Sequence, residues 1–192
     1  MKSLKRTVLS LFVLFFSFAS LSPAVGDEVV NDPMDSNRWS IDLRLDAIPF
    51  DGMALGYGAN IMYYFNDKVG AGLFGQMLFD SVGANNYLEA EIGARLKYFA
   101  HGDVNSSGVV LSPYVVIIDW MDRNTVSISK QIGVRAGLDA SYEWLFAKNF
   151  FLGAGAGVGV YLARPSISFA GTTALWSSTL SLDLFLQIGT RF

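Results

Sequence analysis

Four stretches of this chain place ionisable side chains on alternate residues. Asp42, Arg44 and Asp46 form the first set; Glu89, Glu91, Arg95 and Lys97 the second; Arg135, Asp139 and Glu143 the third; Asp183, Gln187 and Arg191 the fourth. Acids and bases are mixed within each set, and mixed charges at this spacing pair with one another rather than perform catalysis. The other ingredients of active-site chemistry are scarce. The chain has no cysteine and one histidine, His101, set beside Gly102 and Asp103 in a polar turn, where a solvated residue is expected. Zinc sites of the usual kinds need several Cys or His, so no metal and no cofactor is expected. Gly153, Gly155, Gly157 and Gly159 recur at every second residue. They lack the G-x-G-x-x-G spacing and open no helix, which excludes a dinucleotide site. Asn105-Ser106-Ser107 matches a glycosylation acceptor sequence, a short pattern that carries little weight by itself.

The elements that must hold these charges are strands, because side chains alternate faces with a period of two in a strand and 3.6 in a helix. The stretch Leu180 to Phe192 is the clearest. Leu180, Leu182, Leu184, Leu186, Ile188, Thr190 and Phe192 make one face, and Ser181, Asp183, Phe185, Gln187, Gly189 and Arg191 the other. It is long enough to cross a bilayer as a tilted strand of about 9–11 residues. Seven more segments alternate in the same way: Arg38 to Ile48, Ala54 to Phe65, Val69 to Phe79, Tyr87 to Phe99, Val110 to Trp120, Gln131 to Leu145 and Phe150 to Leu162. In the fourth, Leu88, Ala90, Ile92, Ala94, Leu96 and Tyr98 oppose Glu89, Glu91, Gly93, Arg95 and Lys97. The fifth is ambiguous, since Val115 to Ile118 is apolar on both faces and Pro113 cannot donate to a ladder; its register stays open. Between the strands lie turns at Pro49–Gly52, Asn66–Lys68, Ala100–Gly108 and Phe146–Asn149, and loops at Asp80–Asn86, Met121–Lys130 and Pro165–Ala174.

Residues 1–24 stand apart. Lys2, Lys5 and Arg6 precede an apolar run from Val8 to Leu21, and the small residues of Ser22-Pro23-Ala24 follow it. This is the pattern of a secretory signal peptide. A membrane-anchoring helix would need a longer apolar run. Its removal leaves 11 basic residues against 17 acidic ones, a net charge near −6. A mildly acidic chain without a basic cluster has no electrostatic basis for binding nucleic acid. Residues 25–37 read as a polar lead-in, and residues 38–192 as a single barrel domain.

An even number of antiparallel strands can close on itself and leave no unpaired edge. Alternation alone does not say which face is inside; a soluble eight-stranded barrel would put its apolar face inward. Three features favour the opposite sense. The apolar face carries almost no charge, and the polar face mixes acids and bases at matching depths. Aromatics gather near strand ends: Trp39, Tyr63, Tyr64, Phe65, Tyr98, Phe99, Trp144, Phe146, Phe150, Phe151 and Phe192 at one rim, and Trp120, Phe169 and Trp176 at the other. Two aromatic girdles mark the two interfaces of a membrane. The four alternate glycines then leave room for bulky interior side chains. Asp42, Arg44, Glu89, Glu91, Arg95, Arg135, Asp139 and Asp183 are expected to form an interior charge network, with Glu91 and Arg95 meeting Arg135 and Asp139, and Arg44 near Asp183 or Gln187.

The signal sequence and the alternating final strand ending on Phe192 resemble those of small eight-stranded bacterial outer-membrane β-barrels, such as outer-membrane protein X and the transmembrane domain of outer-membrane protein A. The resemblance implies an all-β, antiparallel up-and-down transmembrane barrel in the outer membrane of a Gram-negative bacterium. It implies that Phe192 is read as a C-terminal assembly signal by the outer-membrane assembly machinery, after escort by periplasmic chaperones. It also implies a monomer surrounded by outer-membrane lipid and lipopolysaccharide. The chain departs from outer-membrane protein A in having no peptidoglycan-binding domain after the barrel, which puts a cell-wall tether in doubt. Barrel enzymes place a histidine near the outer rim, and none is available there. Two roles remain: a structural or surface-interaction protein with its interior filled by charged side chains, or a carrier of small or apolar solutes.

Overall fold

The computed structural model describes residues 38–48, 54–80, 87–122, 131–146, 149–163, 167–169, 172–174 and 180–192. The signal sequence, the lead-in, the Pro49–Gly52 turn and Trp176 lie outside these residues, as do most of the loops after Asp80 and Asp122; the side chains of Trp120 and Phe169 are likewise not described.

Eight strands form one closed antiparallel barrel. They are β1 (Trp39–Ile48), β2 (Ala54–Tyr64), β3 (Val69–Asp80), β4 (Tyr87–His101), β5 (Gly108–Asp122), β6 (Gln131–Phe146), β7 (Phe150–Ala163) and β10 (Leu180–Arg191). Each pairs with its sequence neighbours, and β1 pairs with β10 to close the ring. The expected loop at Pro165–Ala174 instead contains a small hairpin outside the barrel, β8 (Ile167–Phe169) with β9 (Thr172–Ala174). The polar stretch between β4 and β5 is shorter than expected. Alternation continues to His101 through a bulge between Phe99 and His101, so the turn shrinks to residues 102–107.

Polarity is inverted relative to a soluble barrel. Leu43, Leu73, Ile92, Ile132 and Leu162 are each more than 60% exposed, while Asp42, Arg44, Arg95, Arg135, Asp139 and Arg191 are at most 4% exposed. An exterior of this kind is stable against hydrocarbon, and a closed barrel leaves no backbone group for lipid to satisfy. The barrel is transmembrane.

The aromatic pairs at strand ends divide between the two faces. Trp39, Tyr63, Phe65, Tyr98, Phe146, Phe150 and Phe192 lie outside, with Trp39–Tyr63 and Tyr63–Phe65 ring centroids 4.9 and 5.5 Å apart. Their neighbours Tyr64, Phe99 and Phe151 are buried inside. The expected girdle at this rim therefore loses Tyr64, Phe99 and Phe151 to interior packing, because adjacent residues in a strand cannot share a face.

β5 takes the register that alternation left open. Val110, Ser112, Tyr114, Val116 and Ile118 face inward, and Val109, Pro113, Val115 and Ile117 face outward. Its ladder to β4 runs from Tyr87↔Asp122 to Arg95↔Tyr114 and resumes at Tyr98↔Leu111, skipping the pairs around Pro113. Proline has no N–H to give there.

Candidate functional site

Among the described residues, polar chemistry converges in the interior. Six carboxylates (Asp42, Asp46, Glu91, Asp139, Glu143 and Asp183) and five cations (Arg44, Arg95, Lys97, Arg135 and Arg191) are buried in it. The near balance matters, because a buried charge is costly unless paired and hydrogen-bonded. Period-two alternation on β1, β4, β6 and β10 delivers these groups to one face, and the register stacks them in three layers.

Nearest the end at which Trp39 and Phe192 lie, Glu143 is the centre. Its Oε1 accepts from Lys97 Nζ at 2.8 Å and from Gln187 Nε2 at 2.8 Å, and its Oε2 from Arg191 Nη2 at 2.5 Å. Lys97 Nζ also lies 3.5 Å from Asp42 Oδ2, and Asn60 Nδ2 donates to the other oxygen of Asp42. The Arg191 guanidinium sits 4.8 Å from the Phe151 ring centroid and 5.4 Å from that of Phe99.

In the middle layer Asp139 Oδ2 accepts from Arg44 Nη1 at 2.5 Å and Arg95 Nη2 at 3.0 Å. Arg44 Nε donates to Asp46 Oδ1 at 2.7 Å, and its guanidinium lies 3.7 Å from the centroid of the Phe185 ring. In the far layer Arg135 Nη2 is shared between the two oxygens of Glu91, which also accepts from Gln76 Nε2 at 2.5 Å. Arg135 Nη1 reaches Ser181 Oγ at 3.1 Å and lies 3.5 Å from Asp183 Oδ1. Tyr114 OH donates to Asp183 Oδ2 at 3.4 Å.

The structure thus brings Glu91 to Arg135 and Arg95 to Asp139. Arg44 pairs in register with Gln187 on β10, yet its charge contacts are Asp46 and Asp139, not Asp183 or Gln187. Glu89 is partly exposed and pairs with no cation among the described residues; its carboxyl lies beside that of Glu91. Phe192 lies outside the barrel, its backbone N–H donating to the Trp39 carbonyl and its carbonyl accepting from the Trp39 N–H, both at 2.9 Å. His101 is exposed at the end of β4. Among the described residues no group of three or more His, Asp or Glu side chains is placed to hold a metal.

Several members of the network escaped sequence reasoning. Gln76 and Asn60 occupy inward positions on β3 and β2 whose polarity is visible in the alternation. Tyr114 carried no such signal, since both faces of β5 are apolar. The glycines of β7 make room by direct contact. A Cβ at Gly153 would come within 2.5 Å of Gln187 Nε2, one at Gly155 within 2.5 Å of Phe185 Cζ, and one at Gly157 would collide with the Asp139 carboxylate.

No protein-family profile matches this chain, and no curated protein matches it. Among solved structures it is similar to the N-terminal β-barrel domain of OprF from Pseudomonas aeruginosa, with a TM-score of 0.58 and 16% identity over 82% of this chain and 99% of that one. Neisserial surface protein A gives a TM-score of 0.59 and 13% identity over 80% of this chain and 96% of that one. The outer membrane protein OprG from Pseudomonas aeruginosa gives 0.54 and 11% over 82% and 96%. At these identities the likeness is one of fold, and that fold is the small eight-stranded outer-membrane barrel.

Proposed function

We propose that this chain is a non-catalytic integral protein of the outer membrane of a Gram-negative bacterium, a barrel with a structural or surface-interaction role whose interior is closed by its own charged side chains. The observation that carries the reading is the far and middle layers of ion pairs at 2.5–3.0 Å, spanning β1, β4 and β6 across the interior. Eight strands leave an interior just wide enough for side chains to fill, and paired charges in that space resist displacement by a passing ion. The same reading has the barrel as a monomer in outer-membrane lipid and lipopolysaccharide, delivered by periplasmic chaperones and the outer-membrane assembly machinery. The experiment is conductance of the refolded protein in a planar bilayer, with an electrically silent barrel as the expected result.

A second reading, passage of small solutes through a narrow wet interior, is favoured by a specific feature. Asp46 Oδ2, Asp139 Oδ1, Arg95 Nε and Arg135 Nε are buried without a hydrogen-bond partner among the described residues. Such groups are satisfied by water when space allows. Steady, ion-selective conductance of the natural chain would replace the first reading with this one.

A further inference from the structure

The β4–β5 turn, residues 102–107, folds into the mouth of the barrel instead of away from it. Val104 is 4% exposed and packs with Met62, Tyr64, Phe99 and Val110, which are the inward-facing ends of β2, β4 and β5. The backbone of Val104 is held on both sides. Its N–H donates to the Asp67 carbonyl at 2.9 Å, and its carbonyl accepts from Arg191 Nη1. Lys68 Nζ donates to the Gly102 carbonyl, and Ser107 Oγ accepts the Leu145 N–H at 2.9 Å.

The turn is therefore tied to the β2–β3 connection, to β6 and to β10. Its own geometry is fixed by the Asp103 N–H on Ser106 Oγ and the Asn105 N–H on Asp103 Oδ1, both 2.8 Å. Gly102 makes the reversal possible at φ +70°, a conformation that residues with a Cβ rarely adopt. A turn that served only to join two strands would need none of these ties. The β2–β3 connection, which supplies two of these ties through Asp67 and Lys68, differs in burial: Asn66 Oδ1 closes it by accepting the N–H groups of Lys68 and Val69 at 2.8 and 2.9 Å, and Phe65, Asn66 and Lys68 are exposed.

We propose that this turn is the floor of the barrel. Val104, seated in a ring of apolar side chains, seals the interior at the end bearing Trp39 and Phe192; Arg191 latches it; and unseating the turn is the step that opens the interior to that side. A charged solute entering there must cross an apolar layer before it reaches Lys97 and Glu143, which is unfavourable. The inference goes beyond the closed interior proposed above, since a floor seals one mouth whether or not the layers above it are dry.

The chain has no cysteine, so Met62→Cys supplies a single reporter in the floor. The rate of its modification by a small anionic thiol reagent, measured on the refolded barrel, is the readout. It should be slow with the natural turn and with Val104→Ile, which keeps the seat filled. With Val104→Gly it should rise on the order of tenfold, as expected when a local opening is made easier. If Val104→Gly fails to refold, Val104→Ser gives the same comparison. Equal rates in all turn backgrounds, or rapid modification behind the natural turn, would overturn the floor. A Ser181→Cys reporter in the far layer keeps the two proposals apart. Rapid modification there with a protected Met62→Cys site sinks the closed interior and leaves the floor standing.

Discussion

A single nitrogen of Arg135, Nη2, lies 2.8 Å from Oε1 and 2.9 Å from Oε2 of Glu91, a contact made across the interior from β6 to β4 over the intervening β5. Both side chains are at most 4% exposed. Removing one partner strands the other in a low-dielectric site, which costs about 3–5 kcal/mol for a buried pair. Arg135→Ala should lower unfolding stability in lipid vesicles by a few kcal/mol on the same grounds. Glu91→Gln combined with Arg135→Ala should recover part of that loss. Asp139→Ala should not, because Asp139 is paired with Arg44 and Arg95. A double-mutant cycle in urea measures this, and a coupling energy near zero would show individually solvated charges in a wet interior.

The alternate glycines of β7 make a separate claim about space. A Cβ at Gly157 would collide with the Asp139 carboxylate, and one at Gly159 would come within 2.7 Å of Ser181 Oγ and 3.0 Å of Arg135 Cδ. Gly157→Val should therefore destabilise the barrel by about 1–3 kcal/mol, the usual effect of overpacking. Val158→Leu, one residue away on the exposed face, should change stability by less than about 0.5 kcal/mol. Equal effects at the two positions would mean that the interior is looser than these contacts imply.

Phe192 touches little of the interior. Its ring is half exposed, and its backbone contributes two hydrogen bonds to Trp39. Deleting it should weaken the finished barrel by no more than a few kcal/mol. If assembly machinery reads the terminal aromatic, the deletion should slow insertion in cells far more than that. Normal membrane levels of the deletion variant, beside a measurable loss of stability in vitro, would separate the two roles and remove that of assembly signal.

Sidedness follows from strand parity. On the proposed reading, which puts Trp39 and Phe192 at the periplasmic end, the turn at residues 102–107 should be periplasmic and Asp122, at the opposite end of β5, should lie toward the outside. Asn124→Cys should label with an impermeant reagent on intact cells and Asn105→Cys should not. The reverse pattern would invert the barrel.

Much of this architecture was legible because alternation in β1, β4, β6 and β10 is accompanied by charge, so a one-residue slip would expose Arg95 or Arg135 to lipid. β5 was illegible for the same reason in reverse: Tyr114, Val116 and Ile118 inside resemble Val115 and Ile117 outside, and a slip changes no polarity. Ion-pair partners were legible only in part. Backbone register sets Arg44 opposite Gln187, but a long guanidinium reaches past its neighbour, and its contacts depend on shape across the barrel. Val104 gave no signal, as one apolar residue within His101–Gly108 makes no period.

Arg191 has a consequence for how the molecule comes to be finished. It reaches Glu143 on β6 and the Val104 carbonyl of the β4–β5 turn, between the rings of Phe99 and Phe151. Until β10 docks, Glu143 has lost two of its three donors, and β1 and β7 are open edges. Seam closure and charge compensation are thus one event. A partly assembled chain offers the bilayer both an unpaired edge and an under-compensated carboxylate, each of which hydrocarbon rejects. The strand that closes the ring is thus also the one that completes the donors of Glu143.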